Sequence, residues 1–150
     1  MAIQWHVLKF DEFSLEQLYK VLHLRSEIFV VEQDCVYQDV DNKDQQSIHL
    51  LGYEADALVA YARLLPPGLH YTEASIGRVV THISKRGTGL GTTLMEEAIK
   101  ACEAVFGEGL PIRIEAQTHL ERFYGNLGFR PESDSYMMDG IPHTEMLRLG

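Results

Sequence analysis

Cysteine is scarce: Cys35 and Cys102 are the only two in 150 residues. They stand far apart, in no CxxC pair and with no histidine ladder at zinc spacing, so neither a disulfide framework nor a metal site is expected. Both read as reduced thiols of a cytoplasmic protein. Positive charge is also in short supply, with 13 Lys and Arg against 22 Asp and Glu and a net charge of −9. A chain that neutralises phosphates over a broad face needs the opposite balance, so nucleic acid is not an expected partner. No window approaches the roughly eighteen apolar residues of a membrane span. The opening Met1-Ala2-Ile3-Gln4-Trp5-His6 has neither a basic start nor a long apolar run, so membrane insertion and secretion are not expected. Repeats, low-complexity tracts and Ser/Gly linkers are missing as well. What remains, 45% apolar and 23% charged, reads as one domain over residues 1–150, long enough to bury about 70% of its unfolded surface.

The apolar pattern sets an order of elements. A strand is expected over 5–10, then a helix from Ser14, where Ser14 and Gln17 form a capping-box pattern and Phe13 is placed to staple Leu18. Leu15, Leu18, Leu22, Ile28 and Phe29 form its expected apolar stripe, broken near Arg25-Ser26. Strands follow over 48–54 and 58–65, joined at Ala55-Asp56-Ala57, and a third over 74–82. Residues 92–106 carry apolar side chains at helical spacing and stop at Gly107. A buried strand over 112–117 precedes a second capping-box pattern, Thr118 with Glu121, and a short helix ending at Gly128. The chain closes on a hairpin around Asp139-Gly140. The fold class is mixed α/β: one sheet with helices on its faces. Loops are expected at 34–46 and at Pro66-Pro67-Gly68.

The stretch richest in chemistry is Lys85-Arg86-Gly87-Thr88-Gly89-Leu90-Gly91-Thr92, between a strand and the strongest helix. Glycines turn a backbone so that its N–H groups point inward, and a helix start adds unpaired donors and a positive dipole end. A pyrophosphate suits such a cradle, with Lys85 and Arg86 adding local positive charge; a plain strand-to-helix turn suits the spacing equally. The pattern is not a Walker loop, since no Lys follows Gly91, nor GxGxxG after a first strand.

Arg86-x-x-Gly89-x-Gly91 resembles the acyl-CoA loop of the GNAT family of N-acetyltransferases, which reads Gln/Arg-x-x-Gly-x-Gly/Ala. About thirty residues on, the run from Gln117 to Phe129 is similar to a second family motif, Asn-x-x-Ala-x-x-x-Tyr-x-x-x-Gly-Phe, with Tyr124, Gly128 and Phe129 in register. Gln117 stands where Asn is usual and Leu120 where Ala is usual. The run Arg25-Ser26-Glu27-Ile28-Phe29-Val30-Val31-Glu32-Gln33 and the ending Asp139-Gly140-Ile141-Pro142-His143 with Met146 narrow the resemblance to the ElaA-type subgroup, over nearly the whole chain.

The resemblance implies a mostly antiparallel sheet splayed at a cofactor cleft, and transfer of acetyl from acetyl-CoA to a primary amine by direct attack in a ternary complex. It implies that Arg86, Gly87, Thr88, Gly89, Leu90, Gly91 and Thr92 hold the pyrophosphate, that backbone N–H groups of Val79, Val80 and Thr81 serve the thioester and pantetheine, and that Gln117 supplies an amide to the pantetheine arm. Read from residues alone, Val79 and Val80 suit a fully paired strand as well, and Tyr124 suits a core aromatic. The family role for Tyr124 is general acid to the departing thiolate, for which a phenol of pKa about 10 stays protonated. Base candidates are Glu32, His143 and, with less support, His82, each equally readable as a surface or structural residue. Asp34, Asp39, Asp41 and Asp44 make an acidic loop, either solvated or attractive to a cationic amine; the EF-hand pattern is absent. The acceptor is open among polyamine, amino sugar, antibiotic, amino acid and protein amine, and a homodimer is left open. Two rival readings remain: a non-catalytic acyl-CoA sensor, and a nucleotide site in the same loop.

Overall fold

The computed structural model describes residues 2–150. Eight strands form one sheet: β1 (Gln4–Lys9), β2 (Ile48–Glu54), β3 (Ala57–Leu65), β4 (Ala74–Thr81), β5 (Ile112–Gln117), β6 (Arg130–Pro131), β7 (Tyr136–Met138) and β8 (Ile141–Arg148). Their order across the sheet is β1-β2-β3-β4-β5-β8-β6, with β7 also on β8. Helices α1 (Leu15–Arg25), α2 (Leu90–Phe106) and α3 (Glu121–Gly125) complete the set. β6, a two-residue strand, was not expected from the sequence.

All pairs are antiparallel except β4 with β5, which α2 joins as a crossover. That parallel contact holds for two registers only, Ala74 with Ile112 and Ser75 with Arg113. Beyond it β4 carries a bulge against β3, between Tyr61 and Arg63, and Arg78 takes a left-handed φ of 48°. An added residue sharpens the local twist and turns a strand from its neighbour. Continued, the register would set Val79 across from Gln117; instead a cleft opens between the strands.

Helix α2 lies on one face, burying Leu90, Leu94, Met95, Ala98, Ile99, Ala101 and Cys102 against Leu50, Ala60, Ala62, Leu64, Ile76, Ile112 and Ile114. A buried leucine on such a face contributes about 1.5–3 kcal/mol. Helix α1 covers the other face through Val21 and Leu24, which with Ile28 meet Leu51, Tyr61 and Val80. The capping box forms as expected: Ser14 Oγ accepts from Gln17 N–H (3.0 Å) and Gln17 Oε1 from Ser14 N–H (2.9 Å).

Three local expectations are corrected. Leu15 is 89% exposed, because the buried stripe of α1 runs Val21, Leu24, Arg25, Ile28, a phase that excludes it. The helix does not break at Arg25-Ser26 but continues as a wider π-helical turn, Ser26–Glu32. Thr118 caps no helix: its hydroxyl bonds Thr144 (2.9 Å) and Ser135 (3.0 Å), tying β5 to β8, and α3 starts from Leu120 without a side-chain cap.

Candidate active site

The cleft between β4 and β5 is a cavity of about 490 Å³, walled by Val79, Val80 and Thr81 on one strand and by Ile114, Glu115 and Gln117 on the other. Val80 lies opposite Tyr61 on β3, and His82 N–H bonds Val59 C=O (2.8 Å). The alternation of an antiparallel ladder then turns Val80 toward β3 and Thr81 N–H away from it, to the cleft side.

Arg86 of the glycine loop also lines this cavity, while Thr88, Gly89 and Leu90 at the start of α2 line a second pocket with Ile3, Trp5, Glu54 and Lys85. Gly87 (φ 77°) and Gly89 (φ 83°) hold left-handed conformations, and a Cβ at either would meet no protein atom within 4 Å, so the loop backbone is open to solvent there. Gly89 is the N-cap, and the N–H groups of Leu90, Gly91 and Thr92 in the first turn lie before the helical ladder begins. This fits a pyrophosphate. The expected surplus of positive charge is not there, however: Lys85 bonds Glu54 (2.5 Å) and Arg86 bonds Glu32.

Tyr124, from α3, reaches the cavity with only 9% of its surface exposed. Burial alone pushes its phenol up to about 12. Gln117 and His143 lie opposite each other in the β5/β8 ladder, and both line the cavity. His143 is 7% exposed, and its Nδ1 is 2.7 Å from Ile141 C=O. A carbonyl only accepts, so Nδ1 donates, and a neutral ring presents the Nε2 lone pair. Glu32 and His82 are outside the cavity lining: Glu32 faces Arg86, and His82 Nδ1 accepts from Ser84 N–H (3.1 Å). Of the base candidates, His143 alone is inside.

Of the acidic loop, Asp34 is exposed, but Asp39, Asp41 and Asp44 are neither solvated nor free. Arg25, 1% exposed, bonds Asp39 (2.9 Å) and Asp44 (2.9 Å); Arg63 bonds both oxygens of Asp41 (2.7 and 2.8 Å) and also Asp44 (2.9 Å); Arg78 bonds Asp39 (2.7 Å). His49 donates from Nε2 to Asp44 C=O (2.9 Å) and accepts from Tyr61 OH (2.7 Å). Burial opposes ionisation of Asp41, but the hydrogen bonds and charge of Arg63 outweigh it and hold the carboxyl well below the usual range. The knot straps loop 34–46 over the α1 face, where Tyr37, Asp41 and Lys43 roof the cavity.

The sequence reading missed Glu115, Tyr71 and Tyr37 as cavity residues. For Glu115 the signal was present: on a strand that buries Ile112, Ile114 and Ala116, residues 113, 115 and 117 share the other face.

An open mixed sheet with this splay, and a glycine-started helix beside it, defines an acyl-CoA N-acyltransferase. A family model described as an acetyltransferase (GNAT) domain matches residues 11–149. The protein ElaA of Escherichia coli K12 is 41% identical over 148 residues, 97% of this chain and 96% of that one. The crystal structure of an acyl-CoA N-acyltransferase from Pseudomonas aeruginosa superposes with a TM-score of 0.93 at 41% identity, over 98% and 99% of the two chains. That of Escherichia coli ElaA gives 0.92 at 40%, with the same coverage. The chain belongs to the GNAT acetyltransferase family and, within it, is similar to ElaA. It is an enzyme, and the family chemistry is acyl transfer from an acyl-CoA.

Proposed function

We propose that the protein transfers acetyl from acetyl-CoA to a primary amine by direct attack within one ternary complex. The observation that carries this reading is the abrupt end of β4/β5 pairing beside the α2 start, which brings Thr81, Gln117, Tyr124 and His143 to one cleft. Leu90, Gly91 and Thr92 N–H, with Arg86 once it leaves Glu32, would hold the pyrophosphate of acetyl-CoA, and Gln117 its pantetheine arm. When bound, acetyl-CoA supplies the activated acyl carbon.

The other contributions come from the chain. Thr81 N–H, turned from β3, is a donor for charge gathering on an oxygen in the cleft. His143 Nε2 takes a proton from the incoming ammonium, so that a neutral nitrogen attacks. Tyr124, kept protonated by burial, holds a proton at its hydroxyl for the departing sulfur. Of the two thiols, Cys102 is wholly in the core and pushed up to about 12 by burial, and Cys35, which lines the cavity, is tied by its bond to Asp139 C=O (3.0 Å).

Thermal unfolding with acetyl-CoA, CoA, ATP and NAD in parallel tests the reading. A ligand at about a hundredfold its Kd adds about 2.7 kcal/mol, a rise in Tm of several degrees for a domain of this size. Stabilisation by the two CoA species alone is expected; no shift with either, or an equal one with ATP, would overturn it. An acetylated protein and ping-pong kinetics would overturn direct attack.

A further inference from the structure

We infer that the inner end of the cleft selects acceptors carrying a second cationic group, held by the carboxylate of Glu115 while the first nitrogen is acetylated. The substrate class is the aliphatic diamines and polyamines, and the inference rests on the acetyl-transfer reading.

Charge bookkeeping within the cavity leads to Glu115. Apart from Lys43, whose ammonium meets only His70, the other buried or half-buried charges in the lining are matched: Asp41 by Arg63 and Arg78, Arg63 by Asp41 and Asp44, Arg78 by Asp39. Among the described residues Glu115 has no Lys or Arg partner, and its one bond is from Tyr136 OH to Oε2 (2.6 Å). The nearest arginine on its strand, Arg113, is engaged elsewhere, by Glu73 (3.1 and 3.0 Å) and Glu145 (3.2 Å). Glu73 and Glu145 thus share one arginine and Glu115 has none, so these three carboxylates outnumber the arginine among them. Their field is felt next door: burial, then the charges of Glu115, Glu145 and Glu73, push the Tyr71 hydroxyl above its usual range. Tyr71 also lines the cavity, and its ring already carries the Arg113 guanidinium, 6.0 Å from the ring centre. Lys43 and His70, 3.2 Å apart, stand at the rim as the opposing charge, so an acceptor carboxylate is the alternative that must be tested.

Placement gives the length. Glu115 and Gln117 project from the same face of β5, and Gln117 is across from His143. Two residues of strand span about 7 Å, so the second charge sits a few methylenes from the nitrogen that faces His143. Tyr136 fixes the carboxylate, leaving Oε1 for the ligand.

The test is calorimetric titration of putrescine, cadaverine, n-butylamine and γ-aminobutyrate into the protein saturated with CoA, and again into the protein alone. Putrescine or cadaverine is expected to bind about tenfold more tightly than butylamine, the scale of one charge-assisted contact, with γ-aminobutyrate weaker than either. In Glu115→Gln the ratio of diamine to butylamine falls to near one, and Glu115→Asp moves the optimum toward the longer diamine. An unchanged CoA-induced Tm shift in both variants shows that they are folded. Equal diamine and butylamine affinities, a preference surviving in Glu115→Gln, or tighter binding of γ-aminobutyrate would overturn the inference. Failure of the acetyl-transfer reading looks different, as loss of the CoA shift itself, and the titrations without CoA still report on Glu115.

Discussion

Tyr124 and His143 reach the cleft by different routes, and the difference predicts how their variants behave. Tyr124 is packed by Phe129 at 6.0 Å between ring centres and is only 9% exposed. Tyr124→Phe keeps that packing and removes one proton donor, so kcat is expected to fall on the order of a hundredfold, the lower end for proton-transfer catalysis, with KM for acetyl-CoA unchanged in steady-state assays. Since its phenol titrates only at about 12, no alkaline limb of the native pH profile below that range should disappear in the variant. His143→Gln lowers kcat similarly, whereas Glu32→Gln, outside the cavity, should act on acetyl-CoA affinity through Arg86. A double Glu32→Gln, His143→Gln variant with native kcat and pH profile would remove both from the chemistry.

At the scale of elements, loop 34–46 shows what a sequence discloses and what it withholds. Its four aspartates are obvious in one dimension. The partners of three of them, Asp39, Asp41 and Asp44, are Arg25, Arg63 and Arg78, 14 to 39 positions away in hydrogen-bonded pairs that no local pattern links. Arg25 was read as a helix break for the same reason, since a charged residue in an apolar stripe interrupts periodicity unless its counter-ion is known. The glycine loop, the Ser14 cap, β2, β3 and α2 were legible because each is a local rule of spacing or capping. The alternation of β5 puts Glu115 on the face away from Ile112, Ile114 and Ala116, but no local rule says that this face lines a cavity, and the two-residue β6 lies below any periodic signal. Both Asp41 and Asp44 are held below the usual carboxylate range, burial resisting and their arginines prevailing. Each therefore stabilises the fold fully above an unfolded pKa of about 3.9, and that contribution is lost as pH falls through the depressed folded value. Urea midpoints measured from pH 6 downward should drop steeply below about pH 4. In Asp41→Asn the native midpoint is lower at pH 6, because Arg63 loses a buried partner, and the acid slope is shallower.

Across the whole molecule, two antiparallel halves, β1 to β4 and β5 to β8, meet at a parallel seam of two residue pairs, with α2 packed on both sides. On the proposed reading, the acceptor and acyl donor enter where that seam fails. Hydrogen exchange should make this visible as a map of protection. Amides shared between β2 and β3 or between β5 and β8 sit inside continuous ladders and exchange only on global opening, while Thr81, its N–H turned away from β3, exchanges orders of magnitude faster in the free protein. Saturation with acetyl-CoA should slow Thr81 and the first turn of α2 together and leave β1 unchanged; slow exchange at Thr81 without ligand would mean that the seam closes in solution. A sheet left unzipped along half of one strand thus carries its own reporter, an amide whose lifetime records whether the missing strand has been supplied by the substrate.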